Sequence, residues 1–420
     1  MLALFRDRRG LATAFLAGAL LLLAGSLAYV APKVLSDGIA IDFRFIWLAG
    51  SLWSEGIDPY TAAYGTAAGE RLRPGNVPEF LLYPPGWWGI AVGFAAFDEV
   101  TASLLWRMTS VLAAALGAGA LLWAVARATG TSATGPRATG ARATEARALL
   151  GLGAAALALT FGSVAAANNI TIAQTSMLVL LGGGFAAAGV VAASRPVLIT
   201  GLLILSLKPS IGLAFVPLVL LLPTPLLSTA ALGILVLAIS APPLLEFGPI
   251  TTATGFIESA ARYGALEINA GPALTGLRHL AWLATGTSPS AMLMLALCGI
   301  LSAAGMVAAR RIASTAEGRA LGVAFAVSCL LCVAPLHSYD FVFLLPLMLL
   351  IPLLGIMDGA VILGAVLFTL RSSNIAPLLG LVPSDAMLPG TTVATIAGLG
   401  LFLWFGLRLA LAIRTGQKAA

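Results

Sequence analysis

Most of this chain is divided among uninterrupted apolar runs of around twenty residues, beginning with LATAFLAGALLLLAGSLAYVA at 11–31. A run of that length, coiled as an α-helix, matches the hydrocarbon thickness of a bilayer. Membrane-spanning strands are about ten residues long and alternate polar with apolar side chains, which is not the pattern here. Composition agrees: 60% of the 420 residues are hydrophobic and 10% are charged, against about 25% charged in a soluble domain, and mean hydropathy is +1.01. The expected fold class is therefore an all-α polytopic membrane protein, one integral membrane domain over 1–420, with no polar stretch long enough to build a soluble core. Cys298, Cys329 and Cys332 lie inside apolar runs. The last two have a CxxC spacing but no further ligands, so neither a disulfide framework nor a metal centre is predicted. The net charge of +6 is a topology signal rather than a nucleic-acid signal.

Basic residues set the expected orientation. Arg6, Arg8 and Arg9 precede the first run, which is long enough to span and has no convincing cleavage site, so it is read as an uncleaved helix with its N-terminus in the cytoplasm. Residues 32–100 then form a long first extracytoplasmic loop carrying juxtamembrane helices. Within it, 86–97 is apolar but too short to span and is placed as a re-entrant or interfacial helix. A helix at 103–126 returns to RATGTSATGPRATGARATEAR, a cytoplasmic low-complexity loop at 127–147 bearing Arg127, Arg137, Arg142 and Arg147. Helices at 148–167 and 174–193 make a hairpin with the tip AANNITIAQTS. The next run breaks at Lys208-Pro209, because a residue before proline avoids the helical region. An unbroken helix there would also invert every later loop and put Arg310, Arg311, Arg408, Arg414 and Lys418 outside. Helices at 226–245, 291–309, 320–336, 341–357, 359–371 and 391–412, with an outer loop at 246–289, complete a bundle of about 10–13 crossings.

Polarity concentrates in residues 37–88, which hold Asp37, Asp42, Arg44, Glu55 and Asp58 among many aromatic side chains. The predicted topology gathers Asp42, Asn168, Asn169, Lys208, His337, Asp340 and Arg371 near the outer membrane boundary. Ionisable groups at membrane depth are costly and mark functional sites. Each has a plainer reading: Asp42 as a helix cap, Lys208 snorkelling to the interface, His337 in a helix contact, Asp340 neutralising Lys208 or Arg371. Together they fit transfer of a group from a lipid-linked phosphate, a carboxylate taking the acceptor proton and cations stabilising the departing phosphate. A secondary transporter or lipid flippase would also have broken helices and buried charges. It would more often show an internal repeat, and beyond the RATG tract there is none. A non-enzymatic scaffold would not need charges collected on one side.

DFRFIWLAGSLWSEGIDPY followed by FLLYPPGWW resembles the first outer loop of the polyprenol-phosphate-sugar-dependent glycosyltransferases, family 87 of the GT-C superfamily. Asp42-Phe43, Trp47, Ala49-Gly50, Gly56, Asp58-Pro59-Tyr60 and Tyr83-Pro84-Pro85 occupy the places of that family's pattern. NITIAQTSMLVLLGG, LLILSLKPSIGL and APLHSYDFVFLLP are similar to its later motifs, so the resemblance spans roughly residues 37–350. One departure is Ala173-Gln174-Thr175-Ser176, where the family often has Gly-Gln-x-Asn. The resemblance implies a GT-C-like bundle and inverting transfer of a sugar, commonly mannose, from a polyprenyl-phosphate donor to a lipid or glycan acceptor. The setting it implies is the extracytoplasmic face of a bacterial-type inner membrane. It makes Asp42 the general base and Lys208 and His337 phosphate or acceptor contacts. Tyr339, Asp340, Arg44, Gln174, Asn168 and Asn169 are further binding candidates, and Asp58, Tyr60 and Tyr83 form the loop motif. No cofactor is expected, with a divalent cation left open because the superfamily has metal-using and metal-free members.

Overall fold

The computed structural model describes residues 8–36, 40–72, 79–130, 139–266, 269, 273–372, 375 and 388–416. Of the charged residues named above, Arg6, Asp37, Arg137 and Lys418 lie outside them. Helix α1 (Arg9–Val34) leads into α2 (Ile41–Ser54) and α3 (Ala63–Arg71), and a single 3-10 turn at Pro85–Trp87 opens α4 (Trp88–Ala95). There follow α5 (Glu99–Ala128), α6 (Thr139–Phe161), α7 (Val164–Ile172), α8 (Ser176–Val191), α9 (Arg195–Ser206) and α10 (Pro209–Phe215). The second half holds α11 (Pro225–Phe247), α12 (Pro249–Ala265), α13 (Leu277–Thr285), α14 (Ala291–Ala309) and α15 (Ala316–Val333). A 3-10 turn at Ser338–Phe343 runs into α16 (Leu344–Leu350), then come α17 (Ile356–Leu370) and α18 (Leu388–Gly416). Among the described residues, seven helices are long and apolar enough to cross a membrane, and shorter apolar helices accompany them. This is a multi-pass helical membrane protein.

Its packing is that of a bundle turned outward to lipid. Helix α15 sits at the centre and is buried from Leu321 to Val333, whereas Leu21 on α1 and Leu226 on α11 are 75% and 85% exposed. Exposed apolar area costs about 25 cal/mol per Å² in water, a penalty that a hydrocarbon surround removes. Helix α1 lies along α6, α5 along α8, α8 against α9 and α15 against α18. Local signals set the ends. Asp98 caps α5 by accepting from Val100 and Thr101 N–H, both at 3.1 Å, and Ser290 caps α14 by accepting from Leu293 N–H at 3.2 Å.

Three boundaries differ from expectation. Helix α6 begins at Thr139, inside the segment read as a 127–147 loop, because alanine and arginine favour helix whatever the complexity of the sequence. The arm expected to run unbroken to 167 stops at Phe161. Ser163 then starts α7 as an N-cap, its Oγ accepting from Ala166 N–H at 3.1 Å, so Asn168 and Asn169 lie on a helix and not in a tip loop. The outer loop at 246–289 contains α12 and α13. By contrast, the break at Lys208-Pro209 is present. The Leu207 carbonyl freed there accepts from Trp87 Nε1 at 2.6 Å, which supplies the partner that a helix end lacks.

The first loop is itself a packed unit. Phe43, Phe94, Trp87 and Trp106 meet edge-on or tilted, with centroids 4.9–5.7 Å apart, the geometry that aromatic quadrupoles favour. Gly50 lets α2 and α4 touch: a Cβ there would stand 2.1 Å from the Ala91 carbonyl oxygen. These rings are used as core, which leaves α2 rigid beneath Asp42.

Candidate active site

Asp42 occupies the first turn of α2 and is partly buried. Burial raises its pKa from 3.8 to about 6; the Lys208 charge pulls it down and the Asp340 charge pushes it up by lesser amounts. Its anchor is Gln174. Helix α7 ends at Ala173, a left-handed residue (φ 54°), and the Gln174 N–H then bonds the Asn169 carbonyl at 2.8 Å. The Gln174 amide oxygen accepts from Thr175 N–H (2.7 Å) and Thr175 Oγ1 (3.0 Å). With the oxygen so committed, Nε2 donates to Asp42 Oδ2 at 2.8 Å and to the Tyr339 hydroxyl at 3.0 Å.

A second cluster stands beside it. Lys208, the residue before the Pro209 break, extends Nζ to Asp340 Oδ1 (2.9 Å) and Ser176 Oγ (2.6 Å), and Ser176 Oγ also donates to Asp340 Oδ1. The other Asp340 oxygen accepts from His337 N–H at 3.1 Å, which caps the 338–343 turn. Lys208 Nζ lies 5.8 Å from the centre of the Tyr339 ring, and His337 stacks on that same ring at 4.9 Å. Asn269 donates its amide N–H to the Tyr263 carbonyl (2.6 Å), so its Oδ1 is the acceptor facing His337 Nε2 at 3.1 Å. In that arrangement Nε2 is the donor toward Asn269. Burial, with the nearby cations, lowers the His337 pKa below its ordinary value of 6.5, and the ring is neutral at pH 7.

Asp42, Gln174, Tyr339, Asp340, Lys208 and His337 are therefore brought together from α2, the α7–α8 turn, the α9–α10 break and the turn after α15. Tyr83 borders the group; burial and the Asp42 charge push its phenol well above the ordinary range. The other sequence candidates do different work. Asn169 donates to the Tyr339 carbonyl (2.7 Å) and so pins the 338–343 turn to α7. Asn168 is exposed and stays apart. Arg44 is fully buried and pairs with Glu99. Two residues from Asp42 on a helix is a rotation of about 200°, so it faces α5 and not the site. Asp58 accepts from Tyr60 N–H (2.9 Å), and the Tyr60 hydroxyl donates to the Tyr83 carbonyl (2.6 Å), which makes this pair a turn lock. Arg371 lies over the Tyr29 ring at 5.5 Å.

Reasoning from sequence did not single out Thr175, Ser176, Tyr263, Asn269 or Arg107. Arg107, in the first third of α5, is 1% exposed and donates to the carbonyls of Ser36 (2.6 Å), Ile170 (3.1 Å) and Thr171 (3.3 Å). It thus ties the approach to α2 to the approach to Gln174. An arginine well inside the apolar stretch of α5, away from its ends, was the available signal. Among the described residues, no group of three or more His, Cys, Asp or Glu side chains is placed to share a metal ion.

The fold and this site define a polytopic membrane protein with a partly buried carboxylate, an amide that orients it, and a lysine–aspartate pair beside a neutral histidine. Comparison with protein-family models and with curated proteins gives no match to this chain.

Proposed function

We propose that the chain is a membrane glycosyltransferase that moves a hexose, mannose by its resemblance to family 87, from a polyprenyl-phosphate donor to the hydroxyl of a lipid or glycan acceptor. The observation that carries this reading is Asp42 held by Gln174, a single carboxylate whose pKa of about 6 lies close to working pH. A general base is most effective when its pKa is near the pH at which it works. In the reaction the acceptor oxygen attacks the anomeric carbon while its proton passes to Asp42. The bond from that carbon to the phosphate oxygen breaks, with its electron pair leaving on the phosphate. One displacement inverts the anomeric centre. Lys208 and the His337 Nε2–H are suited to stabilising the charge that develops on the leaving phosphate. Positive-inside bias supports the extracytoplasmic side for this chemistry, and the resemblance to family 87 supports a bacterial-type inner membrane. A divalent cation remains compatible with it.

The test is reconstitution in liposomes with a labelled polyprenyl-phosphate hexose and a hydroxyl acceptor. Transfer of label, lost in Asp42→Asn, is the expected result. Movement of the intact lipid-linked sugar between leaflets without transfer would overturn the reading in favour of a flippase.

A further inference from the structure

Lys208 divides its charge between Asp340 and Ser176. Arg278 is different. It is 6% exposed, its Nε and Nη1 are buried without a hydrogen-bond partner, and no described carboxylate forms an ion pair with it. A buried cation without a partner is costly, and a strongly desolvated ionisable group beside other polar site residues is a candidate for binding a ligand of opposite charge.

Its backbone is held firmly although its side chain is not. Thr275 donates both N–H (2.7 Å) and Oγ1 (3.0 Å) to the Leu336 carbonyl, directly before His337. Gly276 N–H donates to Thr395 Oγ1 at 3.0 Å. Gly276 has φ +78°, and a Cβ on it would stand 2.3 Å from the Cys332 carbonyl oxygen, so only glycine lets α13 start this close to the end of α15. His279, on the other side, meets Thr392 Oγ1 at 2.9 Å. Arg278 lies three residues beyond Thr275, within about one helical turn of the Leu336–His337 backbone that Thr275 holds.

We infer that Arg278, with His337 beside it, is the anion subsite of this protein and takes the phosphate group of a polyprenyl-phosphate lipid. The planar guanidinium fork matches two phosphate oxygens at once, which a lysine ammonium does not. The identity of the lipid rests on the transferase reading; the anion site itself rests on Arg278. The division of labour follows: Arg278 binds the phosphate, and the Lys208–Asp340 pair acts on Asp42.

The test is equilibrium binding to purified protein in zwitterionic nanodiscs. The probes are polyprenyl monophosphate, the matched neutral polyprenol, inorganic phosphate and phosphatidylglycerol. In Arg278→Gln the affinity for polyprenyl monophosphate should fall about tenfold or more, equivalent to about 1.4 kcal/mol, with Arg278→Lys intermediate and polyprenol binding unchanged. Inorganic phosphate in excess should compete. The melting temperature of ligand-free Arg278→Gln should not fall, because the variant removes an unpaired buried charge. Equal affinity of wild type and Arg278→Gln for polyprenyl monophosphate overturns the inference. So does a lower melting temperature with polyprenol binding lost in parallel, which would show a structural role. Phosphatidylglycerol competing as strongly as polyprenyl monophosphate overturns the choice of lipid in favour of a headgroup site. Because the readout is binding, Arg278-dependent capture by a protein that transfers no sugar would defeat the transferase reading and keep the anion site. Sugar transfer with a donor KM indifferent to Arg278 would do the reverse.

Discussion

Asp42→Asn separates catalysis from stability. The side chain keeps its size, and an Asn Oδ1 still accepts the Gln174 Nε2–H that bonds Asp42 Oδ2 at 2.8 Å. What it loses is the ability to take a proton, worth about 10²–10⁴-fold in rate for a general base. The stability effect has the opposite sign. Burial lifts the Asp42 pKa from 3.8 to about 6, and at about 1.4 kcal/mol per pH unit the ionised form costs the fold about 3 kcal/mol at neutral pH. A carboxylate with a raised folded pKa favours the folded state below its unfolded pKa, and that contribution is lost as pH rises through the folded value. Asn does not ionise. The variant should therefore melt at or above the wild-type temperature at pH 7.5, and the two should converge near pH 4. Wild-type transfer should also decline as pH drops through about 6, since only the ionised carboxylate accepts the proton. The assay is initial rate and thermal melting of both proteins across this pH range. Undiminished transfer by Asp42→Asn, or a wild-type rate flat across about pH 5–7, would refute the reasoning.

Three other perturbations follow from the same geometry. Lys208→Gln strands Asp340, which is 2% exposed, and should destabilise by about 3–5 kcal/mol; adding Asp340→Asn should recover most of it, as melting of the double-mutant cycle would reveal. Arg107→Met releases the Ser36, Ile170 and Thr171 carbonyls and so loosens both approaches to the Asp42–Gln174 contact. It should lower kcat with little change in donor KM and move the acid limb of the pH–rate profile, which steady-state kinetics over pH would detect. Gly50→Ala puts a Cβ 2.1 Å from the Ala91 oxygen; overpacking of this kind costs about 1–3 kcal/mol, to be read as a lower melting temperature in detergent.

The class of fold was legible because bilayer thickness leaves so direct a mark on apolar run length. The Lys208-Pro209 break was legible too, since proline states its own constraint. The α6–α7 boundary was hidden because a serine cap inside an apolar stretch is a weak local signal, and Ala173 adopts a left-handed conformation that sequence reserves for glycine. Within the site, Asp42, Lys208, His337 and Asp340 were found by charge at membrane depth, and Gln174 through the motif that resembles a known family. Arg44 and Asn168 failed to join because proximity along a chain does not survive helical rotation. Arg107, Asn269 and Tyr263 act through contacts between segments far apart in sequence, which run length and motif spacing cannot report. The aromatic residues of the first loop looked equally suited to stacking on sugars; several of them are spent on a core.

The most direct test is a density map of the protein bound to a polyprenyl monophosphate. The phosphate is expected within about 3 Å of the Arg278 guanidinium and the His337 ring. A phosphate lodged away from both residues would contradict this reading.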